Sequence, residues 1–432
     1  MKISVYGSGR EVGRSAIMLS HNKKNILLDC GIKMYEEEVE FELGGGAPQI
    51  PRDMRIDGAI ISHAHLDHSG YFPAIHMRNR CPIYCTPPTQ GIANVLARDA
   101  KKVDPTLPYD ISDIEEALRS FILIPYGLEH TLSGGPEAMK LTLHDAGHIP
   151  GAAITEVNVG KKKIVYTGDF KMEDTRLHSS AETMENVDTL IMECTYGLRD
   201  HLDRKETEDR MCKEMQKVFD EGGNVLFPAF AVGRTQELAM ILFAHDVELP
   251  IFVDGMGALI SEVLLGYPKY VKNYDMLREA IGNLNHVGRD RSMPLKHPSA
   301  IISTAGMLEG GPAITYITLM QKKKHDKNIN SAIFMTGYCL GNTNGWYLQN
   351  KQMIYLKKMK QKRSKPFNVD LRTDLFHLSA HAGRKDLLEF IKKANPQRVL
   401  CVHGDHCKEF AGQLKDMGYD ATAPENGTSI EV

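Results

Sequence analysis

Tryptophan, cysteine and long apolar runs are scarce in this sequence of 432 residues. It contains one tryptophan and eight cysteines, and eight cysteines in so long a chain do not form a disulfide framework. No apolar run reaches the ~18 residues of a membrane-spanning helix, and no secretory signal opens the chain. Internal repeats and low-complexity tracts are also missing. These absences predict a globular protein of the reducing cytoplasm without a membrane partner.

Neither sign of charge is in excess, because 52 basic residues stand against 55 acidic ones, for a net charge of -3. This balance excludes a uniformly basic nucleic-acid coat. It does not exclude a local basic groove, since steering fields depend on where the charges sit. The segment Lys357–Lys365 is strongly basic. A groove extension and a solvated linker are both open interpretations of it.

Histidine is abundant, with 18 residues, and the segment His63-Ala64-His65-Leu66-Asp67-His68 holds four potential metal ligands. The segment follows a short apolar strand and precedes a predicted helix. Residues two apart face the same way at a strand end, so His63 and His65 can reach one ion. The turn then sends Asp67 and His68 towards a second point. Imidazole and carboxylate ligands suit zinc or another divalent transition metal.

Three more potential ligands end predicted strands beside a glycine, namely His148, Asp169 and His403. Together with the first segment they complete a predicted two-metal site. Asp29 repeats the pattern before Gly31, and we expect it to orient a ligand rather than bind metal. Four other histidines are alternatives that are more typical of packing or surface positions: His76, His130, His144 and His406.

The pattern of predicted secondary structure changes near residue 200. Short β-branched strands dominate the first 195 residues, whereas strands then alternate with amphipathic helices, which predicts a parallel sheet flanked by helices. Strand texture returns after Lys365. We therefore predict a domain over residues 1–199, an α/β insert over 200–365, and the rest of the first domain over 366–432.

These motifs resemble the metallo-β-lactamase fold, and more closely its β-CASP family. Glu193, in the segment 191–197, resembles the acidic motif that opens the family's insert, and His381 and His403 resemble its two following motifs. Segments 228–234 and 303–312 also match stretches typical of β-CASP nucleases. The resemblance covers essentially the whole chain. It implies an α/β protein, an αββα metallo-β-lactamase sandwich with an inserted α/β domain, similar to the short archaeal and bacterial forms related to RNase J and to the endonuclease of the cleavage and polyadenylation specificity factor.

The resemblance implies a metal-dependent ribonuclease, an endonuclease and/or 5′→3′ exonuclease, that acts on single-stranded RNA with two divalent ions, expected to be Zn²⁺. Its implied ligands are His63, His65 and His148 for one ion, and Asp67, His68 and His403 for the other. Asp169 is expected to bridge the two. The implied catalytic residues are Asp67, His381 as general acid, and Glu193, which either pairs with His381 or holds His403.

Glycine-rich turns and predicted helix N-termini supply the expected RNA contacts, because backbone N–H groups at such places bind phosphate. The residues are Arg234, Ser303, Thr304, Gly306 and Ser379. Two positions depart from the family pattern. Gly383 stands where the family commonly has an acidic residue. An arginine that the family has near the position of Trp346 is missing here. Trp346 itself is either a base-stacking residue or a packed core residue.

Three other functions compete with the ribonuclease. A small-substrate metallo-hydrolase, such as a β-lactamase or thioester hydrolase, shares the sandwich, but a whole inserted domain suits a polymer better. A non-catalytic RNA-binding scaffold would be expected to lose metal ligands, and here every ligand position is filled. DNA is a further candidate substrate, and a homodimer is allowed but not required.

Overall fold

The computed structural model describes residues 1–33, 46–132, 138–337, 339–356 and 365–432. The chain divides into two compact units, one formed by Met1–Asp200 with Ala380–Val432 and the other by His201–Ser379. The expected insert ended at residue 365, but the second unit continues to Ser379 because Arg372–Leu375 pairs with Ala332–Met335. Of the basic segment Lys357–Lys365, residues 357–364 lie outside the described residues.

The first unit contains two seven-stranded sheets within the described residues, and its strands are numbered in chain order. The first sheet has the order β22 (Ser429–Glu431), β1 (Lys2–Gly7), β2 (Ala16–His21), β3 (Lys24–Leu28), β4 (Gly58–Ile60), β5 (Ile83–Cys85) and β6 (Phe121–Leu123). The second has the order β21 (Ala421–Thr422), β20 (Arg398–Val402), β11 (Thr189–Glu193), β10 (Lys162–Tyr166), β9 (Ala153–Val159), β8 (Met139–Asp145) and β7 (His130–Thr131).

Each sheet is parallel in one half and antiparallel in the other. In the first sheet β3, β4, β5 and β6 run parallel, and in the second β10, β11, β20 and β21 do. The remaining pairs are antiparallel. The parallel halves matter for function, because the carboxyl ends of neighbouring parallel strands meet at one edge of a sheet.

The two sheets of the first unit share one apolar core. Ile17 and Leu28 of the first sheet belong to the same buried cluster as Leu143 and Ile191 of the second. Burial of such side chains is the main driving force for this packing. The helices of this unit are α1 (Leu66–Ser69), α2 (Phe72–Asn79), α3 (Pro87–Val103), α4 (Ile111–Leu118), α11 (Arg384–Ala394) and α12 (Cys407–Asp416). The expected αββα sandwich is confirmed.

The second unit is a parallel sheet with helices between its strands. Its order is β14 (Asn285–His286), β13 (Ile251–Asp254), β15 (Ser299–Ser303), β12 (Asn224–Pro228), β16 (Ala332–Met335) and β19 (Arg372–Leu375), and β17 (Met353–Leu356) and β18 (Lys365–Asn368) form a separate hairpin. The helices are α5 (Arg204–Asp220), α6 (Arg234–Ala244), α7 (Met256–Leu264), α8 (Tyr274–Gly282), α9 (Pro312–Lys327) and α10 (Asn344–Lys351). Among the described residues, no helix is long and apolar enough to cross a membrane.

Candidate metal centre and active site

The candidate site lies at the carboxyl ends of the parallel strands of the first unit. Asp29 directly follows β3, and His63 comes shortly after β4, its parallel neighbour. In the second sheet, Asp169 follows β10, Glu193 ends β11 and His403 follows β20. Strands that are distant in sequence therefore deliver their polar end residues to one edge of each sheet.

The short helix α1, which carries Asp67 and His68, is held by main-chain hydrogen bonds to the segment that follows β3. Cys30 N donates to the carbonyl oxygen of His68, and Ile32 N donates to that of Leu66, each at 2.8 Å. Gly31 makes this close approach possible, since a Cβ atom at that position would lie 1.7 Å from the carbonyl oxygen of Asp67. Any side chain there would displace this helix.

The first cluster consists of His63, His65, His148 and Asp169. Nδ1 of His65 lies 3.2 Å from Nε2 of His63 and 3.2 Å from Nε2 of His148. Oδ2 of Asp169 is 3.5 Å from His63 Nε2 and 3.8 Å from His148 Nε2. A zinc–nitrogen bond of about 2.0–2.1 Å corresponds to tetrahedral edges of about 3.3–3.4 Å. The spacing of these four atoms therefore fits one ion.

The second cluster consists of Asp67, His68 and His403. Nε2 of His403 lies 3.2 Å from Nε2 of His68 and 3.3 Å from Oδ2 of Asp67, and the remaining separation is 3.9 Å. Asp169 faces both clusters, because its Oδ1 lies 3.3 Å from His68 Nε2 while its Oδ2 faces the first cluster. Asp169 Oδ1 is buried and forms no hydrogen bond within the described part of the chain.

The hydrogen bonds around the second cluster leave lone pairs facing each other. Nδ1 of His68 donates to Asp29 Oδ2 at 2.7 Å, so in its neutral form, the form that binds metal, the ring has its lone pair on Nε2. Thr195 Oγ1 donates to the carbonyl oxygen of His403 at 3.1 Å and can therefore accept from His403 Nδ1, 3.3 Å away. The two Nε2 atoms repel each other at 3.2 Å unless positive charge lies between them. The donor set thus fits divalent metal ions.

Burial and neighbouring charges set the ionisation of the ligands. Burial holds the pKa values of His63 and His148 well below the usual range, which keeps their rings neutral, as metal ligands must be. Burial alone would raise the pKa of Asp67, but His68 and His403 outweigh it and lower the pKa. The pKa of Asp169 is likewise well below its usual value despite burial, because of His403 and His68.

Asp29 is fully buried and anchors the second cluster from behind, as its predicted orienting role requires. Besides His68 Nδ1, its carboxylate accepts hydrogen bonds from Ser62 N at 2.7 Å, Ser62 Oγ at 2.8 Å and Tyr166 Oη at 2.7 Å. Four donors around one carboxylate leave His68 a single ring orientation. Ser62 and Tyr166 were not predicted, and Tyr166 lies 137 residues from Asp29 in sequence.

Thr195 is a second residue that the sequence did not single out. Its paired hydrogen bonds with the backbone and ring of His403 fix the ring orientation and place the Nδ1 proton away from the cluster. Asp169 Oδ1 lies 3.4 Å from the same nitrogen. Thr195 follows the Glu193 motif, and only the parallel pairing of Glu193 with Val402 places it beside His403.

We expect Thr195→Val to weaken metal binding at the second cluster about 10-fold. This is the lower end of the range observed when a hydrogen bond that orients a metal ligand is removed. Valine keeps the shape of threonine but neither donates to nor accepts from His403. Competition titration of Zn²⁺ against a chromophoric chelator measures this, and Thr195→Ser should bind as the wild type does. Equal weakening of both clusters, or no change, would contradict the assignment.

The half-buried His381 and the buried Glu193 form an ion pair next to the first cluster. His381 Nδ1 lies 3.0 Å from Glu193 Oε1 and 3.9 Å from Asp169 Oδ2. Glu193 Oε1 also accepts from Phe170 N at 3.1 Å. Burial alone would lower the pKa of His381, but Glu193 and Asp169 raise it to about 9. Of the two predicted roles for Glu193, the geometry supports pairing with His381, and Thr195 instead holds His403.

The other predicted residues lie outside these clusters. His144 pairs with Glu182 and Glu156, His76 faces a carbonyl oxygen, His130 packs on Tyr84, and the exposed His406 lies near Glu409. In the second unit, Arg234 and Gly306 line one pocket. Buried side chains there include Ser303, Thr304 and Ser379. Gly383 precedes α11, and Trp346 is half-buried against the apolar core of its unit.

Comparison with known proteins agrees with this geometry. Residues 18–195 match the model of the metallo-beta-lactamase superfamily domain, and residues 368–424 match that of the Zn-dependent metallo-hydrolase RNA specificity domain. The chain is 33% identical to RNase aCSPSF2 of Saccharolobus solfataricus, over 100% of this chain and 85% of the relative. The chain belongs to the β-CASP family of the metallo-β-lactamase superfamily. The resemblance stated from its motifs is thereby confirmed.

Other relatives of this β-CASP protein carry related names. The probable RNase MJ4 of Methanocaldococcus jannaschii is 33% identical, and the match covers 100% of both chains. Transcription termination factor FttA of the same organism is 32% identical, over 100% of this chain and 72% of its own length. A crystal structure of a protein of unknown function from Enterococcus faecalis has a TM-score of 0.64 at 15% identity, covering 100% of this chain and 99% of that one. That likeness shows the fold alone.

Proposed function

We propose that this β-CASP protein is a ribonuclease that hydrolyses phosphodiester bonds of single-stranded RNA with two Zn²⁺ ions. The observation that carries the proposal is the joining of two ligand clusters through the two oxygens of Asp169, with His381 3.9 Å from the same carboxylate. Relatives named as RNases, and the match to an RNA specificity domain, support RNA as the substrate.

The residues of the site have different roles in hydrolysis. The first and second clusters would each hold one ion, and a bound pair of divalent ions supplies Lewis acidity and a water of lowered pKa for attack on phosphorus. Asp29 and Thr195 keep the rings of His68 and His403 turned towards their cluster. His381 donates Nδ1–H to Glu193, so its second nitrogen, Nε2, is the atom from which a proton would pass to the departing ribose oxygen.

Zinc and a cytoplasmic location are the finer parts of the proposal. Five imidazoles and two carboxylates make up the clusters, a donor set that favours zinc over the oxygen-preferring Mg²⁺ and Ca²⁺. All eight cysteines are free thiols, which persist in a reducing compartment. The homodimer named as an allowed state stays a prediction.

We expect the purified protein to cleave single-stranded RNA, to lose this activity after dialysis against a chelator, and to regain it with Zn²⁺. A gel assay with RNAs bearing a 5′-monophosphate or a 5′-triphosphate separates internal cutting from 5′→3′ trimming. Single-stranded DNA and a lactam substrate serve as parallel arms. Asp67→Ala and His68→Ala, purified in the same way, show whether the activity comes from this site.

Three results would overturn the proposal. RNA binding without cleavage at any metal concentration would make the protein a scaffold. Faster hydrolysis of the lactam than of RNA would make it a small-substrate hydrolase. Cleavage that survives both Asp67→Ala and His68→Ala would come from a contaminating nuclease.

A further inference from the structure

The second unit has a crevice at the carboxyl edge of its parallel sheet. Strand β12 lies between β15 and β16. From β12 the chain passes over β15 to reach β13. From β15 it passes over β12 in the opposite direction to reach β16. Because crossovers are right-handed, α6 and α9 leave on opposite faces of the sheet and open a crevice between their loops. Ligands of doubly wound sheets bind at such places.

One pocket occupies this edge, and the residues after β12, β15 and β16 line it. Its walls include Phe230, Arg234, Gly306 and Thr336. Phe230 is 41% exposed, although the Ala229 beside it is fully buried. An isolated exposed aromatic residue would carry no meaning. Here Phe230 lines the same pocket as Arg234, and an aromatic ring beside a basic residue is the combination with which proteins hold single-stranded nucleic acid.

The position of Phe230 is fixed by its surroundings. Its carbonyl oxygen accepts hydrogen bonds from Thr235 N at 3.2 Å and Thr235 Oγ1 at 2.8 Å. Ala229 N donates to the carbonyl oxygen of Ser303, the last residue of β15, at 2.9 Å. The backbone that carries the ring is thus tied to both α6 and β15, so this segment does not have to be ordered when a ligand arrives.

Gly306 supports the ring from below. A Cβ atom on Gly306 would lie 3.0 Å from Phe230 N and 3.2 Å from Phe230 Cδ2, closer than side chains normally approach. The backbone at Gly306 does not have a positive φ, so the glycine is needed here for space and not for conformation. Its absent side chain lets the aromatic ring lie where it does.

We propose that Phe230, supported by Gly306, is a stacking platform for one nucleobase of the RNA, with Arg234 supplying positive charge for an adjacent phosphate. This inference rests on the proposed function and adds a subsite to it. Stacking is tolerant of sequence, since every base has a π-face. The platform would therefore contribute affinity at one position of the strand without selecting the base.

The test measures binding of a phosphorothioate-linked RNA oligonucleotide to the metal-loaded protein by fluorescence anisotropy. We expect Phe230→Leu, which keeps an apolar side chain but loses the π-face, to weaken binding by about 5- to 150-fold, the range of one stacked base. Phe230→Tyr should bind as the wild type does. Gly306→Ala should weaken binding less than Phe230→Leu does, because the added methyl crowds Phe230 N and Cδ2 and shifts the ring without removing it.

Two matched controls separate the platform from general damage. Gly282→Ala adds a methyl group on α8 where nothing lies within 4 Å, and Leu259→Ala removes a 54% exposed apolar side chain elsewhere in the second unit. Both should leave the affinity unchanged. A series of oligonucleotides with one abasic site each then locates the stacked base. The wild type should bind more weakly when the abasic site is at the stacked position, whereas the affinity of Phe230→Leu should not fall further with that oligonucleotide.

The outcomes distinguish this inference from the proposed function. If the wild type and Phe230→Leu bind RNA with equal affinity, the platform is overturned and the ribonuclease proposal stands. The same holds if both proteins lose the same factor of affinity when the normal strand is replaced by a fully abasic one. Absence of RNA binding by the wild type would overturn both. A defect in Phe230→Leu that persists in Phe230→Tyr would show that packing, not stacking, is responsible.

Discussion

Replacing Asp169 with asparagine should remove metal from both clusters at once and lower RNA hydrolysis by about a thousandfold or more. The Asp169 carboxylate is the only group that faces both clusters, Oδ2 towards His63 and Oδ1 towards His68, among the residues that the structure describes. Asparagine offers one neutral oxygen, and its amide nitrogen would turn N–H groups towards one cluster. Loss of metal-ion catalysis costs several kcal/mol, and about 4 kcal/mol corresponds to a thousandfold in rate.

Elemental analysis of the purified variant and a single-turnover assay give the two readouts. Asp188→Asn is the matched control, since Asp188 accepts hydrogen bonds from Lys163 N at 2.7 Å and from Gln397 Nε2 at 2.8 Å and belongs to neither cluster. It should keep two ions and full activity. An Asp169→Asn protein that still holds two ions and turns over normally would show that Asp169 does not bridge.

Replacing His381 with alanine should leave both ions bound and reduce turnover by about 10²- to 10⁴-fold, the range for loss of a general acid. His381 belongs to neither cluster and instead forms a group with Glu193 and Asp169. Its Nδ1 is engaged by Glu193 at 3.0 Å, so the ring is oriented through a carboxylate that is itself held by Phe170 N. Removal of the ring takes away a proton donor without touching a metal ligand.

An RNA with sulfur in place of the scissile 3′-oxygen sharpens this test, because a thiolate departs without protonation. His381→Ala should cleave this substrate at close to the wild-type rate. The exposed His406 provides the control His406→Gln, which should be unchanged on both substrates. Loss of metal from His381→Ala would make His381 a ligand, and undiminished turnover of ordinary RNA would remove it from the reaction.

The sequence predicted the clusters because their residues end strands, and the ends of buried strands are readable from one sequence. Asp169 and His403 each follow an apolar run, and the parallel pairing of β10, β11 and β20 then brings them together.

The contacts that orient the ligands could not be predicted in the same way. Thr195 reaches His403 across 208 residues of sequence, and this depends on strand register, which no local pattern reveals. The helices α8, α10 and α12 are also hard to predict from the sequence. They are short, with 9, 8 and 10 residues, and two of them contain an internal glycine, which weakens helical propensity. Tertiary packing, not propensity, decides such segments.

The order of the ligands along the chain has a consequence during synthesis. Six of the seven cluster residues are made within the first 169 residues, whereas His403 follows only after the whole second unit. Strand β20, which carries His403 to the site, has to pair with β11, and β21 then adds at the outer edge of β20. A nascent chain can therefore assemble the first cluster early, but a chain that stops within the second unit has neither a complete second cluster nor His381. The second cluster and the proton donor His381 are therefore completed only after the second unit has been synthesised.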